Sequence, residues 1–277
     1  MMKKTISVDD ISTVELQRLM QTAVAPRPIA LASTIDKDGS PNLSPFSFFN
    51  MVSTRPPILV FSPSRRVRDT TVKHTLENLR EVKEVVIGIV NYPIVQQVSL
   101  SSTEYEKGVN EFIKSGLTPE KADFIRPQLI KECPVNFECI VNDIIELGKE
   151  GGSGNLVIAE VKKIHLDPTY LDDNGNLVQT KLDLVARLGG NFYSRQNENS
   201  LFEVPKPLTT LGIGIDQLPE EIRTSKILSG NDLGMLANIE ELPIEPYASD
   251  EKIHLMAKEL LENNQISEAW ELLSNPS

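Results

Sequence analysis

The chain has 277 residues, of which 40% are hydrophobic and 24% charged, and its formal net charge is -11. This composition is typical of a globular protein with one large or two small domains, and the negative charge argues against nucleic acid as a partner. No apolar run approaches the roughly 20 residues that span a bilayer, and no apolar signal-peptide segment follows the first lysines, so we expect a cytoplasmic protein with no membrane partner.

The first part of the chain predicts one short helix and then several strands. Residues 10–21 place apolar side chains on one side of a helix, and residues 28–35 are typical of a strand. Residues 36–39 form a hairpin turn that ends in glycine, which accepts the positive φ that such turns need. Residues 42–51 are extended and rich in Phe and Ser, and residues 57–61 are a short apolar strand.

An amphipathic helix is predicted over residues 72–82, where apolar side chains recur every three or four residues. Asp69 or Thr70 can cap this helix, since a short side-chain oxygen satisfies free N–H groups at a helix start. Residues 85–90 form a run of apolar residues that predicts a buried strand.

Two further helices are expected in the centre of the chain. The segment 103–106 has the pattern of a capping box, which would open a helix that runs through Lys114. Gly116 would close this helix, because glycine is favoured in the left-handed conformation at a helix end. The pair Thr118-Pro119 would open another short helix.

A long β-hairpin is predicted from residues 135–147 and 156–165, with a glycine-rich turn at residues 151–155. The chain thus has several strands joined by glycine turns, with helices inserted between them. This organisation favours a mainly β fold that forms a closed or partly closed barrel, and not alternating βαβ units.

The character of the sequence changes towards the C-terminus, where prolines interrupt short segments. We predict that residues 1–205 form the barrel domain and that residues 206–277 form an extension of loops and helices. Acidic helices are expected at residues 249–263 and 267–273. Two roles stay open for this extension: a helical cap on the same domain, or an arm that packs on a partner chain.

Common metal and nucleotide motifs do not occur in the sequence. The three histidines are scattered without metal-ligand spacing, so no metal site is predicted. Cys133 and Cys139 are too far apart along a strand to bridge each other, and we expect them to be reduced core residues. The segment 212–214 lacks the third glycine of the dinucleotide-binding fingerprint.

A basic run at residues 65–68 contains three arginines and directly precedes Asp69 and Thr70. Arginine N–H groups, threonine hydroxyls and free backbone N–H groups can all donate to phosphate oxygens. The run therefore has two interpretations, an anion site or a solvated charged loop. The nearby segment 42–50 favours the anion site, because its small residues let a flat ring approach and its Ser and Asn side chains can bond to ring atoms.

The order of these motifs is itself informative, together with several shorter matches between Pro26 and Tyr193. The matching segments are Pro26-Arg27-Pro28-Ile29-Ala30, Ser33-Thr34, Asp38-Gly39, Asn42 to Asn50, Pro56-Pro57, Phe61-Ser62, Arg68-Asp69-Thr70 with Asn78, Asn110-Glu111-Phe112, Ser115 to Thr118, Glu138-Cys139 and Arg187 to Tyr193. This set resembles the flavin reductase-like FMN-binding split-barrel family, which includes flavoredoxins and the reductase components of two-component monooxygenases. Gly214 to Pro219 and Gly230 to Leu233 resemble the extended tail of a subset of that family.

The resemblance implies a Greek-key split β-barrel that forms a homodimer and binds FMN near the subunit interface. The residues expected at the cofactor are Ser33 and Thr34 at a strand end, Ser44, Pro45, Phe46 and Ser47 along the isoalloxazine ring, and Ser62, Arg65, Arg68 and Thr70 at the phosphate and ribityl tail. Arg187 and Tyr193 would lie by the exposed flavin face or the nicotinamide. A structural ion pair for Arg187 and a core position for Tyr193 stay open as alternatives.

The predicted function is therefore that of an NAD(P)H-dependent flavin reductase. Hydride from NADH or NADPH would reach N5 of FMN, and the electrons would pass to a small-molecule acceptor or a partner oxidoreductase. One alternative is an FMN carrier without a nicotinamide site of its own, and another is a β-barrel that binds no flavin. No catalytic acid or base is identified, because donors near N1 and C2=O suffice to stabilise an anionic reduced flavin.

Overall fold

The computed structural model describes residues 3–204 and 211–275. The chain divides into two compact units, Met1–Leu201 and Phe202–Ser277. The predicted domain boundary between residues 205 and 206 lies outside the described residues. None of the helices in the described ranges is long and apolar enough to cross a membrane.

Strands dominate the first unit and helices the second. In chain order the strands are β1 (Ala30–Ile35), β2 (Pro41–Phe46), β3 (Phe49–Thr54), β4 (Pro57–Phe61), β5 (Glu84–Ile89), β6 (Pro119–Glu120), β7 (Leu129–Ile130), β8 (Val135–Glu146), β9 (Asn155–Leu166), β10 (Leu184–Arg187) and β11 (Tyr193–Gln196). The helices are α1 (Thr13–Ala23), α2 (His74–Glu81), α3 (Val95–Leu100), α4 (Glu111–Ser115), α5 (Gln179–Leu182), α6 (Glu220–Arg223), α7 (Gly230–Leu236), α8 (Glu251–Glu262) and α9 (Ile266–Ser274).

Seven strands form one antiparallel sheet in the order β2-β1-β5-β8-β9-β4-β3. Its edge strands β2 and β3 are joined by only Ser47 and Phe48. A flat sheet of this size is about 29 Å wide, since strands lie about 4.8 Å apart. Three Cα steps from Phe46 to Phe49 span at most about 11 Å. The sheet must therefore curl until its two edges approach each other, and it forms an open barrel. The predicted mainly β fold with inserted helices is confirmed.

Both faces of the central strands are buried. Leu31 on β1 and Val86 on β5 belong to one apolar cluster, whereas their neighbours Ala32 and Ile87 belong to a second one. The first cluster also contains Phe112 of α4, and the second contains side chains of the long β8–β9 hairpin. Because successive side chains of a strand point to opposite faces, β1 and β5 need apolar residues throughout.

The two cysteines are free and buried, as the sequence predicts. Burial is the main cause that raises the pKa of both thiols, to about 12 for Cys139. The two cysteines are six residues apart but do not share one face of a strand, because β8 begins only at Val135. Cys133 therefore packs in the cluster with Phe112, and Cys139 packs in the other cluster.

Several local predictions are confirmed. The short helix predicted at residues 10–21 is α1, which begins with a capping box between Ser12 and Glu15, and the predicted long hairpin is β8–β9. Gly39 has φ +89° in the β1–β2 turn, and Gly116 has φ +68° at the end of α4. These features depend on short-range geometry, which neighbouring residues determine.

The predicted start of α2 is wrong. The helix begins at His74, after the N-cap Lys73, and neither Asp69 nor Thr70 caps it. Asp69 instead accepts hydrogen bonds from the N–H and the hydroxyl of Thr71. The segment closes on itself through two backbone bonds between Arg66 and residues 70 and 71, so its polar groups are not available to a helix.

Three other predicted elements also differ from the structure. The capping box at residues 103–106 opens no helix, because Gly108 adopts φ +88° and Asn110 caps α4 instead. The predicted helix after Thr118 is a two-residue strand, β6, paired with β7. The extended segment 42–51 is divided by the Ser47-Phe48 link into two strands on opposite edges of the sheet.

The second unit is helical and has its own core. Trp270 of α9 donates from its indole N–H to the Leu236 carbonyl at 3.1 Å. His254 of α8 lies between the Ser225 hydroxyl and the Ala248 carbonyl, both at 2.8 Å. The helices predicted at residues 249–263 and 267–273 are thus confirmed as α8 and α9.

Glu138 on β8 anchors a loop of the first unit. Its carboxylate is fully buried and accepts the backbone N–H groups of Asp123, Phe124 and Ile125 at 2.7–3.0 Å. His165 on β9 contacts the same carboxylate. Burial alone would raise the pKa of Glu138, but these hydrogen bonds outweigh it and lower the pKa below its ordinary value. The strand thereby fixes the loop that leads to β7.

The Asp123, Glu138 and His165 side chains also form a compact cluster, with their ligand-type atoms within 4.8 Å of one another. Asp123 pairs with Lys163, and each oxygen of Glu138 is already hydrogen-bonded. The cluster is therefore an ion-pair network that holds the loop.

We predict that Glu138→Gln lowers the free energy of unfolding of the first unit by about 2–3 kcal/mol, since an amide N–H₂ would face buried N–H donors. Urea unfolding followed by circular dichroism measures this loss, while Trp270 fluorescence reports the second unit separately. Glu160→Gln, at a half-buried glutamate of β9 that pairs with Lys162, is the control and should cost no more than about 1 kcal/mol. Equal losses in both variants would contradict the anchoring role.

The same experiment has a pH signature. A carboxyl whose folded pKa is lowered stabilises the protein above its unfolded pKa, and this contribution is lost as the pH falls through the folded pKa. The difference in unfolding free energy between wild type and Glu138→Gln should therefore shrink with acidification.

Candidate functional site

A buried polar network holds β1 and β2 against two helices. Thr75 of α2 donates to Asn42 Oδ1 at 2.7 Å, and Asn78 of the same helix donates to the Thr34 hydroxyl at 3.2 Å. Thr34 and Asn42 lie opposite each other in the β1–β2 ladder. Buried polar groups that bond to one another in this way define a single arrangement of the elements that carry them.

Glu111 closes the network at the start of α4. This carboxylate is only 4% exposed and accepts the Asn42 amide at 3.0 Å and the Leu43 backbone N–H at 3.1 Å. It thus ties the helix to β2. No local sequence pattern indicates this role, since the partners of Glu111 are more than sixty residues away.

The network borders a small cleft lined mostly by polar side chains, which we call the polar cleft. Its lining consists of Asn42, Ser44, Arg66, Lys73, His74, Thr75, Ser101, Thr103, Glu104, Tyr105 and Glu111. The enclosed volume is about 20 Å³, room for one water-sized group. A ring system could lie over its mouth but not within it.

Lys73 is a cation that the sequence analysis missed. Its Nζ lies 3.4 Å from the Ser44 hydroxyl and 5.8 Å from the centre of the Phe46 ring. Burial lowers the pKa of Lys73, and the charge of Arg66 lowers it further. Among the described residues no carboxylate lies within 4 Å of this ammonium group, so it is open to an anionic ligand.

The arginine run forms a tight loop, which we call the arginine corner (residues 65–71). Arg66 donates to Glu104 at 3.0 Å and to the Thr71 hydroxyl at 2.7 Å, and Arg68 binds Asp69 and Glu104. These hydrogen bonds raise the pKa of Arg68 and lower that of Glu104. The corner is a cluster of donors that three carboxylates, Asp69, Glu104 and Glu146, neutralise in part.

Thr70 has φ +60° at the tip of the arginine corner. This conformation is rare for a β-branched residue and stores strain. Two backbone hydrogen bonds between Arg66 and residues 70 and 71 impose it. A strained turn with exposed donors is typical of a place where a ligand binds.

Glycines bring the β8–β9 loop against the other side of the arginine corner. A Cβ on Gly151 would lie 2.7 Å from the Val67 carbonyl, and one on Gly154 would lie 2.6 Å from the Ser62 hydroxyl. The Arg65 N–H donates to the Ser153 carbonyl at 2.8 Å. At residue 151 the atom in the way belongs to the backbone, so only glycine permits that approach.

The predicted site residues thus divide into two groups. Thr34 and Ser44 lie in or beside the polar cleft, with Ser33 buried on the same strand. Ser62 and Arg65 lie by the β8–β9 loop instead. Two stretches connect the groups. One is the arginine corner, with Arg68 and Thr70, and the other is the segment Pro45, Phe46 and Ser47. The Phe46 side chain lies in the core, where its ring centre is 5.4 Å from that of Phe61.

Arg187 and Tyr193 lie opposite each other on β10 and β11. The Arg187 guanidinium stands 4.6 Å from the centre of the Tyr193 ring, which is 39% exposed. Arg187 also pairs through its backbone with Arg27. The pair therefore lies beside the chain entry to β1 and not at the polar cleft.

Two buried polar atoms near these groups have no partner. They are the Ser33 hydroxyl and Arg65 Nε. A buried polar atom without a partner costs free energy, which a bound ligand can recover. The set of hydroxyls, amides and cations fits a ligand that is anionic and rich in hydrogen-bond acceptors.

Comparison with known proteins places this chain in a family. Residues 22–181 match the flavin reductase like domain. An uncharacterised protein of Aquifex aeolicus (strain VF5) is 38% identical over 178 residues, which are 64% of this chain and 88% of that protein. The uncharacterised protein BH2278 of Halalkalibacterium halodurans is 32% identical over 205 residues, which are 73% of this chain and 96% of that protein.

A solved structure supports the same relationship. Nitrilotriacetate monooxygenase component B from Bacillus cereus is 25% identical and superposes with a TM-score of 0.68, over 73% of this chain and 99% of that chain. About a quarter of this chain therefore has no counterpart in a protein that is covered almost completely. Because the family match spans more than half of the residues, this chain belongs to the flavin reductase-like domain family.

Proposed function

We propose that this protein is an FMN-binding oxidoreductase that takes hydride from NAD(P)H. The electrons then pass to a small-molecule acceptor or a partner oxidoreductase. One observation carries the proposal: Arg66 of the arginine corner and Ser44 of the Ser/Phe segment (residues 42–50) line the same polar cleft, beside the cation Lys73, in a chain of the flavin reductase-like family. A structural relative whose name describes one component of a monooxygenase supports a partner oxidoreductase.

In this proposal the phosphate and ribityl tail of FMN bind at Ser62, Arg65, Arg68 and Thr70. The arginines give charge-assisted hydrogen bonds, and the exposed tip of the arginine corner leaves room for the phosphate. To bind a phosphate, Arg68 exchanges part of its contact with Glu104. The carboxylate keeps the loop in place when the ligand is absent.

The ring of FMN lies along Ser44, Pro45, Phe46 and Ser47 and over the mouth of the polar cleft. Ser33 and Thr34 approach it from β1. Lys73 adds a positive charge beside Ser44, where it favours negative charge on the ring. Arg187 and Tyr193 contact the nicotinamide or the exposed ring face.

When bound, FMN supplies hydride and electron transfer at its N5 position. The side chains hold the ring, exclude water from one face and stabilise negative charge. Because no proton donor of the protein is needed, the site has no catalytic acid or base in this proposal.

The finer features of the fold belong to the same proposal. We take the sheet as a Greek-key split barrel, with a barrel domain at residues 1–205 and an extension at 206–277. We also propose a cytoplasmic location, where NAD(P)H is available. The acidic extension then serves as a cap or as an arm.

Addition of NADH or NADPH to the FMN-loaded protein under anaerobic conditions should bleach the oxidised flavin absorption band. The expected rate exceeds that of free FMN at the same concentration. A protein that binds FMN but stays yellow until a partner reductase is added would be a carrier without a nicotinamide site. A colourless protein that leaves FMN fluorescence unchanged would refute flavin binding.

Two substitutions at the arginine corner should change FMN affinity in opposite directions. Arg68→Ala should raise the dissociation constant about tenfold to a hundredfold, because it removes a charge-assisted contact of about 1.5–3 kcal/mol. Glu104→Gln should lower it, because a competitor for Arg66 and Arg68 loses its charge. Quenching of FMN fluorescence measures both, with Arg126→Ala, far along the chain and paired with Glu84, as the control. Unchanged affinity in both variants would remove the phosphate from this loop.

The proposed homodimer has a candidate interface on edge strand β3. Met51 and Val52 there are 63% and 59% exposed, and exposed apolar edges pair readily. We predict that Val52→Lys halves the mass measured by light scattering after gel filtration. Ile113→Lys, at a 78% exposed apolar residue of α4, is the control and should leave the mass unchanged. A Val52→Lys variant of unchanged mass would place the interface elsewhere.

A further inference from the structure

The second unit contains a cleft of its own, which we call the helical cleft. Its volume is about 500 Å³, within the range of about 300–1,000 Å³ that is typical of ligand sites. Its walls come from residues 202–204, from α7 and the residue Asn238 after it, and from the turn between α8 and α9. All the described residues that line it belong to the second unit, and none is assigned to the proposed flavin site.

Two glycines of α7 line the helical cleft. Gly230 and Gly234 are four residues apart, so they lie on one side of the helix. A Cβ added to either of them would meet no described atom within 4 Å, and neither has a positive φ. Glycine inside a helix lowers its stability relative to alanine. Since neither sterics nor backbone conformation requires glycine here, we attribute the pair to the cleft, where it leaves the helix without side chains and open to a ligand.

Three asparagines add hydrogen-bonding groups to the cleft. Asn231 lies on α7, Asn238 follows that helix, and Asn264 lies in the turn between α8 and α9. Their carboxamides make no hydrogen bond within the described ranges, whereas the adjacent Asn263 donates to the Glu259 carbonyl at 2.8 Å. Each carboxamide offers two N–H donors and one oxygen acceptor. A peptide group, with one C=O and one N–H, is the matching partner.

Apolar side chains stand beside these polar groups. Met235 and Ile266 are half-buried members of the lining, and Phe202 and Val204 are 85% and 69% exposed. An apolar side chain of a ligand would remove part of this surface from water. The cleft therefore combines contacts for a main chain with contacts for a side chain, as peptide-binding grooves do.

Charge determines which peptides the cleft favours. Residues 202–277 contain 14 acidic and five basic residues, so the second unit carries nine of the eleven net negative charges of the chain. Glu203 lines the helical cleft, and no lysine or arginine is among the described residues of the lining. Such a surface attracts a cationic ligand and repels an anionic one.

We propose that the helical cleft binds a cationic peptide segment of a partner protein. The peptide groups of the segment bond to the three asparagine carboxamides, an apolar side chain packs on Met235 and Ile266, and the backbone passes over the glycines of α7. The proposal does not depend on flavin binding, because it uses no residue of the first unit.

Three acetylated and amidated tripeptides test the chemistry of recognition. They are Lys-Leu-Lys, Glu-Leu-Glu, and Lys-Leu-Lys with an N-methylated leucine, so the first differs from the second in charge and from the third in one N–H donor. Titration of the isotope-labelled protein, followed by two-dimensional NMR, measures affinity and identifies the residues whose signals shift. Lys-Leu-Lys should bind about tenfold or more tightly than either of the others. Equal affinities, or shifts confined to the first unit, would refute the proposal.

Gly234→Leu tests the position of the peptide. Leucine fills the cleft and favours a helix more than glycine does, so Lys-Leu-Lys binding should weaken at least tenfold while the second unit stays as stable in urea. Fluorescence of Trp270, the single tryptophan of the chain, follows that stability. Ser267→Leu adds the same side chain at an exposed position of α9 outside the lining and is the control.

Two outcomes of this comparison would overturn the proposal. A loss of stability in Gly234→Leu would show that the fold itself requires the glycine. Equal affinities of Gly234→Leu and Ser267→Leu for Lys-Leu-Lys would place the peptide elsewhere.

The contact with the peptide main chain has a separate test. The variants are Asn231→Ala, Asn238→Ala and Asn264→Gly, the last because Asn264 has φ +59°. At least one of them should lose the preference for Lys-Leu-Lys over its N-methylated form. A preference that all three variants keep would exclude the carboxamides as partners of the leucine N–H.

A second copy of this chain is the rival occupant of the helical cleft. If it fills the cleft, the affinity for Lys-Leu-Lys falls as the protein concentration rises, which overturns the proposal. An affinity that does not depend on protein concentration supports it, whether or not the protein binds FMN.

Discussion

The arrangement of this protein depends on a link of two residues. Ser47 and Phe48 join the opposite edges of a seven-stranded sheet, and so short a link allows only a curled sheet. The curl brings Phe46 into contact with Phe61 and encloses one of the two apolar clusters. It also makes residues 44–48 the border of two clefts: Ser44 lines the polar cleft, and Phe48 lines a second, apolar cleft of about 360 Å³ beside α1, which we call the apolar cleft.

The two clefts differ in the charged groups that line them. The polar cleft has cations that face carboxylates and hydroxyls. The apolar cleft has one buried guanidinium that only neutral carbonyls contact.

Sequence patterns predicted elements well where the determining contacts are local. The β8–β9 hairpin, helix α1 and the left-handed Gly116 follow from residues within a few positions of one another. The predicted cap of α2 failed because Asp69 bonds to Thr71, within a loop that Arg66 closes. The same distinction applies to the site. Sequence patterns identified the arginines as donors. They did not identify the pairing of the arginines with Glu104, the buried Glu111 or the cation Lys73, since these depend on distant partners.

The sequence by itself determined the mainly β class, most strands and the chemistry of the donors, because alternation, turn residues and residue type act over short distances. Its ordered motifs also determined the family. Only the tertiary structure decided which donors meet. It placed Ser44 at the polar cleft but Ser62 beside the β8–β9 loop. It also placed Arg27, whose guanidinium donates to the carbonyl of Leu188, 161 residues away, beside apolar residues of α1. Such contacts arise from sheet order and chain closure, which no local pattern encodes.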